Sequence, residues 1–387
     1  MDNLTKNQIN KLSDIHNYTD GHAYRRWSIA EENIINNSAK LFKSVDRKNQ
    51  RSIEEKYICE FFKLSYQTLN LNNLEFYMCF TASMALEVVG NYLRLKNLTV
   101  GLIEPCFDNL ADILKRHHVP MKTFPDELLE GSTQELKEFL STFKVDVIFL
   151  VTPNNPTGKS ITKNNFELLV DFCKVNKVTL ILDSTFRFFL PSTEVFDQYK
   201  ILDKYDIDFM VIEDTGKTWP TLEIKAPFFC VSHRLIEPIY DIYSDFLLHI
   251  SPFAIALMTE FIKISQIDDC GYIKDIIAKN RASLNASVRG TYLKPVESPF
   301  MSVSWLKITN GAKSKDVVDY LAEHNVYILP GNQFFWSNQT RGDEYVRISL
   351  NRDVEEFEVF CHLLNEIILK TDEPESSKTI EYGLTGV

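Results

Sequence analysis

Several things are missing from this 387-residue sequence, and each absence removes a class of function. No uninterrupted apolar run approaches ~20 residues, so no helical membrane span is expected. The chain opens on polar residues, Asp2 to Gln8, with no apolar core, so no signal peptide is expected. There is no excess of positive charge. The formal net charge is −11, which argues against nucleic acid or an anionic membrane as partner. An anionic ligand must then be held by a local cluster. The seven cysteines (Cys59, Cys79, Cys106, Cys173, Cys230, Cys270, Cys361) have no paired spacing and form no disulfide framework. Free thiols fit a reducing, cytoplasmic setting. No internal repeat is found. What is present is ordinary for a globular protein: 44% hydrophobic and 25% charged residues, with enough length for a sizeable core.

The periodicity divides the chain. Residues 1–30 are polar and hold Asp20-Gly21-His22 in a turn; they have too little to bury alone and read as an arm lying on something else. Residues 31–70 carry apolar groups at helical spacing, such as Ile53, Tyr57, Phe61 and Leu64. Between 71 and 265, short apolar runs alternate with amphipathic stretches. Strands are expected at 74–78, 98–103, 145–151, 178–182 and 209–212, with helices near 108–116 and 163–176. That alternation predicts an α/β fold with a mostly parallel sheet, whose ligands gather at the carboxyl ends of its strands. Residues 266–370, together with 31–70, are expected to form a smaller α+β domain. The stretch 371–387 is Glu/Ser/Lys-rich and reads as a mobile tail.

Candidate chemistry sits where those strands end. Lys217 comes after the run Phe209-Met210-Val211-Ile212 in a polar, Gly-containing turn, where an enclosed lysine could condense with a carbonyl. Taken alone it reads as a surface lysine. Asn155 lies in the rigid turn Thr152-Pro153-Asn154-Asn155-Pro156-Thr157-Gly158. Asp183 comes directly after a buried strand, where a carboxylate is costly unless paired, or else caps a helix. Thr81, Ala82 and Ser83 open a helix whose free N–H groups suit a phosphate, and Lys225 could add charge there. Arg347, in an alternating segment, has a fork suited to a carboxylate.

In order and type these residues resemble the fold type I pyridoxal-phosphate enzymes, the aspartate-aminotransferase-like family, over most of residues 30–370. The resemblance implies pyridoxal 5'-phosphate as cofactor and a homodimer. It makes Lys217 the lysine that joins the cofactor and Asp183 the partner of the ring nitrogen. Asn155 would touch the ring hydroxyl and Phe107 would stack on the ring. Thr81, Ala82, Ser83, Thr215 and Lys225 would serve the phosphate side, and Arg347 the substrate carboxylate. Two positions depart from common aminotransferases: Phe186 replaces a tyrosine and Lys225 an arginine.

Longer motifs resemble a narrower group. These are Asp20-Gly21-His22-Ala23, Phe107-Asp108-Asn109-Leu110-Ala111-Asp112, residues 213–226, and Ile242-Tyr243-Ser244-Asp245-Phe246-Leu247-Leu248 through Ser251-Pro252. They are similar to the oxygen- and pyridoxal-phosphate-dependent L-arginine oxidases and hydroxylases of enduracididine- and indolmycin-type natural-product pathways. That resemblance implies Cα deprotonation of L-arginine by Lys217 and O2 as co-substrate, without metal or flavin. The products would be ammonium, H2O2 and a 2-keto acid, either desaturated between C4 and C5 or hydroxylated at C4. It makes the arm a lid and links His22 to oxygen chemistry or water addition. The group's acidic arm residue for the guanidinium aligns with Gln8, which carries no charge, so Asp14, Asp20 or a second subunit would have to substitute. The other reading is an aminotransferase acting on arginine or another amino acid.

Overall fold

The computed structural model describes residues 3–11, 16–70, 73–221 and 223–372. Asp14 and the part of the expected tail from 373 onward lie outside the described residues.

Among the described residues the strands sort into three sheets. The arm contributes β1 (His16–Asn17). The large sheet holds β2 (Leu74–Met78), β3 (Val100–Glu104), β4 (Met121–Pro125), β5 (Val147–Val151), β6 (Thr179–Asp183), β7 (Phe209–Glu213) and β8 (Phe228–Ser232). Their order is β2-β8-β7-β6-β5-β3-β4. β8 is antiparallel to both neighbours, and the remaining pairings are parallel. The other six strands therefore share one direction, and their carboxyl ends open on one edge. Strands β3, β5, β6, β7 and β8 are buried at every residue, as helix-covered strands must be. Their apolar runs, such as Val-Ile-Phe-Leu-Val in β5, supply both faces.

A smaller antiparallel sheet joins β9 (Leu293–Pro295), β10 (Val303–Ile308), β12 (Leu329–Pro330) and β13 (Tyr345–Ser349) in the order β12-β13-β10-β9. β11 (Val326–Tyr327) leaves it to pair with β1, which fastens the arm. The arm thus has a defined seat. Leu4, the first residue of the helix Leu4–Asn10, is fully buried among Trp305, Leu329, Phe334 and Phe335.

The grouping of residues 31–70 with the small domain needs correction. The helix Gln50–Leu64 packs against the helix Pro252–Ser265 and onto the large sheet. Its Tyr57 and Phe61 rings meet Phe228 of β8 at 6.0 and 4.8 Å, and Phe76 of β2 closes the cluster at 5.9 Å. Helical spacing showed that this segment has an apolar face, but not which sheet would cover it. β1, β4, β8, β9, β11 and β12 also went unpredicted: four of them are two or three residues long, and β4 and β8 each begin directly after a proline.

Phe228 fixes that helix to the sheet. Phe228→Ala should lower the unfolding free energy by about 3–5 kcal/mol. Val175→Ala, at a side chain 73% exposed, should change it by less than about 0.5 kcal/mol. Urea denaturation followed by circular dichroism measures both.

Candidate active site

The strand exits converge on a cavity of about 200 Å³ (the space open to the centres of water-sized molecules). Thr81 lies beyond β2, Phe107 beyond β3 and Asn155 beyond β5; Asp183 ends β6, and Asp214 and Lys217 lie beyond β7. All of them line it. Lys225, Arg347 of β13, and Thr5, Gln8, Gly21 and His22 of the arm add to the wall, as do Ala82 and Ser83 at the start of a helix. A sheet edge and a folded-over arm thus bring together residues up to 342 positions apart in the chain (Thr5 and Arg347).

Lys217 is the centre. Its Nζ lies 3.3 Å from Nδ1 and 3.2 Å from Nε2 of His22. An amine equidistant from both nitrogens cannot lie along both lone pairs, so it faces the ring. Burial lowers the lysine's pKa, opposed by the carboxylates of Asp20 and Asp214. The neutral amine is thereby made more available as nucleophile or base. The Lys217 carbonyl accepts from Asn351 Nδ2 at 2.8 Å.

Asp20 is committed to His22. Its Oδ1 meets His22 Nδ1 at 2.5 Å and its Oδ2 accepts from the Tyr24 hydroxyl at 2.7 Å. Burial alone would raise the Asp20 pKa, but the His22 hydrogen bond and the Lys217 charge pull it well below the usual range. Asp20, expected as one holder of a guanidinium, does not line the cavity, and its oxygens already take three hydrogen bonds within the arm. With Nδ1 turned to Asp20, Nε2 is the nitrogen left for chemistry. Glu223 stands 3.6 Å from that Nε2 and 2.8 Å from Lys225 Nζ. Asp20, His22 and Glu223 have ligand atoms within 4.8 Å of one another. The Lys217 and Lys225 amines share that space and already balance the carboxylates, so the cluster reads as a proton network.

Asp183 is buried, and Thr185 donates to its Oδ1 from the amide (3.0 Å) and the hydroxyl (2.5 Å). Burial raises its pKa against those bonds. Among the described residues it makes no ion pair, which leaves the carboxylate for a cationic N–H in the cavity. Arg347 is also buried and also without a carboxylate among the described residues. Its Nη1 donates to Asn155 Oδ1 at 3.4 Å, its Nη2 to the Thr19 carbonyl, and its Nε has no partner. Burial lowers its pKa to about 9. A substrate carboxylate would satisfy both the charge and the orphaned donor.

The chain fits pyridoxal phosphate. Thr81 caps the 14-residue helix Ala82–Leu95 through Met84 N, and the helix start, Thr81, Ala82 and Ser83, lines the cavity. Lys225 reaches over Gly216, where a Cβ would sit 2.8 Å from Lys225 Cδ, so a larger residue would push the lysine aside. Phe107 offers a half-buried ring. Thr215 is placed differently from expectation: it is fully buried, its hydroxyl accepts from Ala226 N at 3.0 Å, and it braces the lysine loop instead of lining the cavity. Gln8 does line the cavity, its amide nitrogen donating to the Thr19 carbonyl at 2.8 Å.

Sequence reading missed Asn351, Arg352, Glu223, Tyr24 and the buried Arg187–Glu213 pair (2.8 Å) behind Asp183. Only Thr185 left a local signal, since a hydroxyl two residues after an aspartate is an Asx-turn pattern.

Asp108 holds the arm's first turn: its Oδ2 accepts from Leu4 N at 2.6 Å, and its Oδ1 is buried without a partner. Burial raises its pKa from 3.8 to about 6. An acid raised on folding contributes most stability below its unfolded pKa and loses it as pH rises through about 6. Asp108→Asn keeps an acceptor for Leu4. It should flatten the stability slope between about pH 4 and 6 by up to about 1.4 kcal/mol per pH unit. Asp126, also pushed up to about 6 by burial, leaves a residual slope. Urea unfolding across that pH range measures it.

Comparison with known proteins places this site in a family. A profile of the aminotransferase class I and II family matches residues 35–364. The histidinol-phosphate aminotransferase of Geobacillus sp. (strain WCH70) is 20% identical over 200 residues, 50% of this chain and 51% of that protein. The chain thus matches about half the length of that relative. The histidinol-phosphate aminotransferase of Methanococcus maripaludis is 23% identical over 294 residues, 73% of each chain. The structure of MppP soaked with the product 2-ketoarginine superposes with a TM-score of 0.83 at 29% identity, covering 91% of this chain and 99% of that one. Aspartate aminotransferase from Thermus thermophilus with maleate shares the fold, with a TM-score of 0.77 at 12% identity, covering 95% and 97%. The chain belongs to the aminotransferase class I and II family and is a fold type I pyridoxal-phosphate enzyme resembling MppP.

Proposed function

We propose that the protein is an oxidase that uses O2 to convert L-arginine to a 2-keto acid, with release of ammonium and H2O2. The observation that carries the reading is the contact between Lys217 Nζ and His22, in which an arm residue meets the reactive amine at 3.2 Å. Two further things support it: the arm motif Asp20-Gly21-His22-Ala23, and the 29% identity to MppP, whose crystals took up 2-ketoarginine as product.

Pyridoxal phosphate bound in this cavity supplies an electron sink for the charge left at Cα. The chain's residues do the rest. Thr81, Ala82, Ser83 and Lys225 would hold the phosphate, Asp183 would keep the ring nitrogen protonated, Asn155 would meet the ring hydroxyl, and Phe107 would stack on the ring. Arg347 takes the α-carboxylate and so turns the Cα–H towards Lys217, which moves that proton. Each two-electron oxidation of the substrate reduces one O2 to H2O2, so the 4,5-dehydro-2-ketoarginine outcome takes two O2. Water addition at C4 gives 4-hydroxy-2-ketoarginine instead. His22 Nε2, with Nδ1 held by Asp20, is the group poised to handle oxygen-derived protons or that water. With Asp20 occupied, Asp214 is the carboxylate left in the wall for the guanidinium, assisted by the Gln8 amide. The arm serves as the lid that excludes bulk water.

The enzyme is further proposed to be a cytoplasmic homodimer. All seven cysteines are free, and no described helix is long and apolar enough to cross a membrane. Phe80, next to Thr81, is exposed, as are Phe246, in a groove with Thr81 and Ser83, and Tyr240 and Leu248, in another with Tyr77 and Met78; a second copy would cover them.

An aminotransferase remains the competing reading, favoured by the histidinol-phosphate aminotransferases among the relatives. Turnover of arginine under air and under nitrogen separates the two. The oxidase stops without O2 and releases H2O2, while transamination continues and needs a keto-acid acceptor. The product mass then distinguishes desaturation, hydroxylation and plain deamination. Lys217→Ala should lose the visible band of a lysine-bound cofactor. His22→Ala should keep cofactor and change the product ratio; loss of cofactor instead would make His22 a structural residue.

A further inference from the structure

Residues 349–352 lead out of β13 and touch both partners of the central contact. Asn351 Nδ2 holds the Lys217 carbonyl at 2.8 Å. The next residue, Arg352, holds the arm. Its Nη2 donates to the carbonyls of Asp20 (2.7 Å) and Asn17 (3.1 Å), its Nε to Asn17 (3.3 Å), and its Nη1 to the carbonyl of His22 (3.0 Å). Ser349 Oγ and the Asn351 carbonyl take further bonds from Nη1, both at 3.1 Å. The guanidinium carbon lies 4.8 Å from the Tyr24 ring centre and 5.7 Å from that of Tyr18. Among the described residues it makes no ion pair.

A buried guanidinium without a carboxylate is expensive, and carbonyl dipoles must converge on it from several directions to offset that. Three of those carbonyls belong to a single six-residue stretch of the arm, residues 17–22. They can reach one cation only if the chain curls around it, and that curl is the turn that aims His22 at Lys217. A neutral side chain could fill this space without imposing the turn. The neighbouring Asn351 references the lysine backbone to the same strand end.

The geometry points to Arg352 as the positioning residue that sets the 3.2 Å contact between His22 and Lys217, with Asn351 fixing the lysine side of it. Arg352 touches no reacting atom; it acts through the carbonyls of the arm. The inference rests on the proposed role of His22 only for its kinetic consequence.

Arg352→Gln, studied as the cofactor-loaded full chain, should speed amide hydrogen exchange of residues 16–24 by about tenfold or more, the loss expected of charge-assisted hydrogen bonds, while residues 74–104 keep their rates. Cofactor affinity, read by absorbance titration, should stay within about threefold and kcat should fall by about tenfold, with KM changing less. In a His22→Ala background the same substitution should alter kcat by less than about twofold, because one effect runs through the other. Arg352→Lys keeps the charge without the fork and should resemble Arg352→Gln; it replaces that variant if the glutamine protein does not fold. Unchanged exchange at residues 16–24, or effects that multiply fully in the double variant, would overturn the assignment. Oxygen-independent turnover with the coupling intact would sink the oxidase reading and leave Arg352 in its role.

Discussion

The structure depends on drawing one amine back from bulk water into the wall of a cavity. Lys217 stands at the end of a buried strand, and burial drives it towards its neutral form, while Asp20 and Asp214 limit how far that goes. Moving either carboxylate would move the balance. The two come from opposite directions: Asp214 from the lysine's own loop, and Asp20 from an arm nearly 200 residues earlier. The reactivity of the lysine is therefore tied to whether the arm is in place.

The arm is held by several independent devices. Leu4 fills an apolar pocket and its amide is caught by Asp108. β1 pairs with β11, and Arg347 and Arg352 hold the carbonyls between Asn17 and His22. Arg347 would have two roles, since the guanidinium proposed to take the substrate carboxylate also donates to the Thr19 carbonyl. In that reading substrate and arm share one cation, which would link occupancy of the site to the seating of the arm.

Part of the buried charge is handled by pairing. Arg187 and Glu213 satisfy each other beneath the site, with the Tyr199 hydroxyl donating to the same carboxylate at 3.1 Å. Asp183, Arg347 and Arg352 make no ion pair among the described residues. Arg352 is met by carbonyls of the arm, whereas Asp183 and Arg347 line the cavity, where a cofactor and a substrate would supply the missing charge.

Much of this was legible in the sequence because it is written locally. Apolar runs such as 147–151 and 209–212 announce covered strands, and the polar residues just past such runs (Asn155, Asp183, Lys217) fall at strand exits by the geometry of a parallel sheet. Thr81 and the turn around Asn155 carry their local reasons with them. What the sequence could not contain is pairing across distance. Asp20 looked free for a guanidinium until Tyr24 and His22 occupied its oxygens, and Thr215 looked like a cavity residue until its hydroxyl turned to Ala226. Arg352 gave no sign at all, because its role depends on three carbonyls that only the folded arm brings together. The residue types and their order were set by the one-dimensional pattern. Which carboxylate meets which cation was decided by tertiary structure, because a charge's partner is whatever burial leaves within reach.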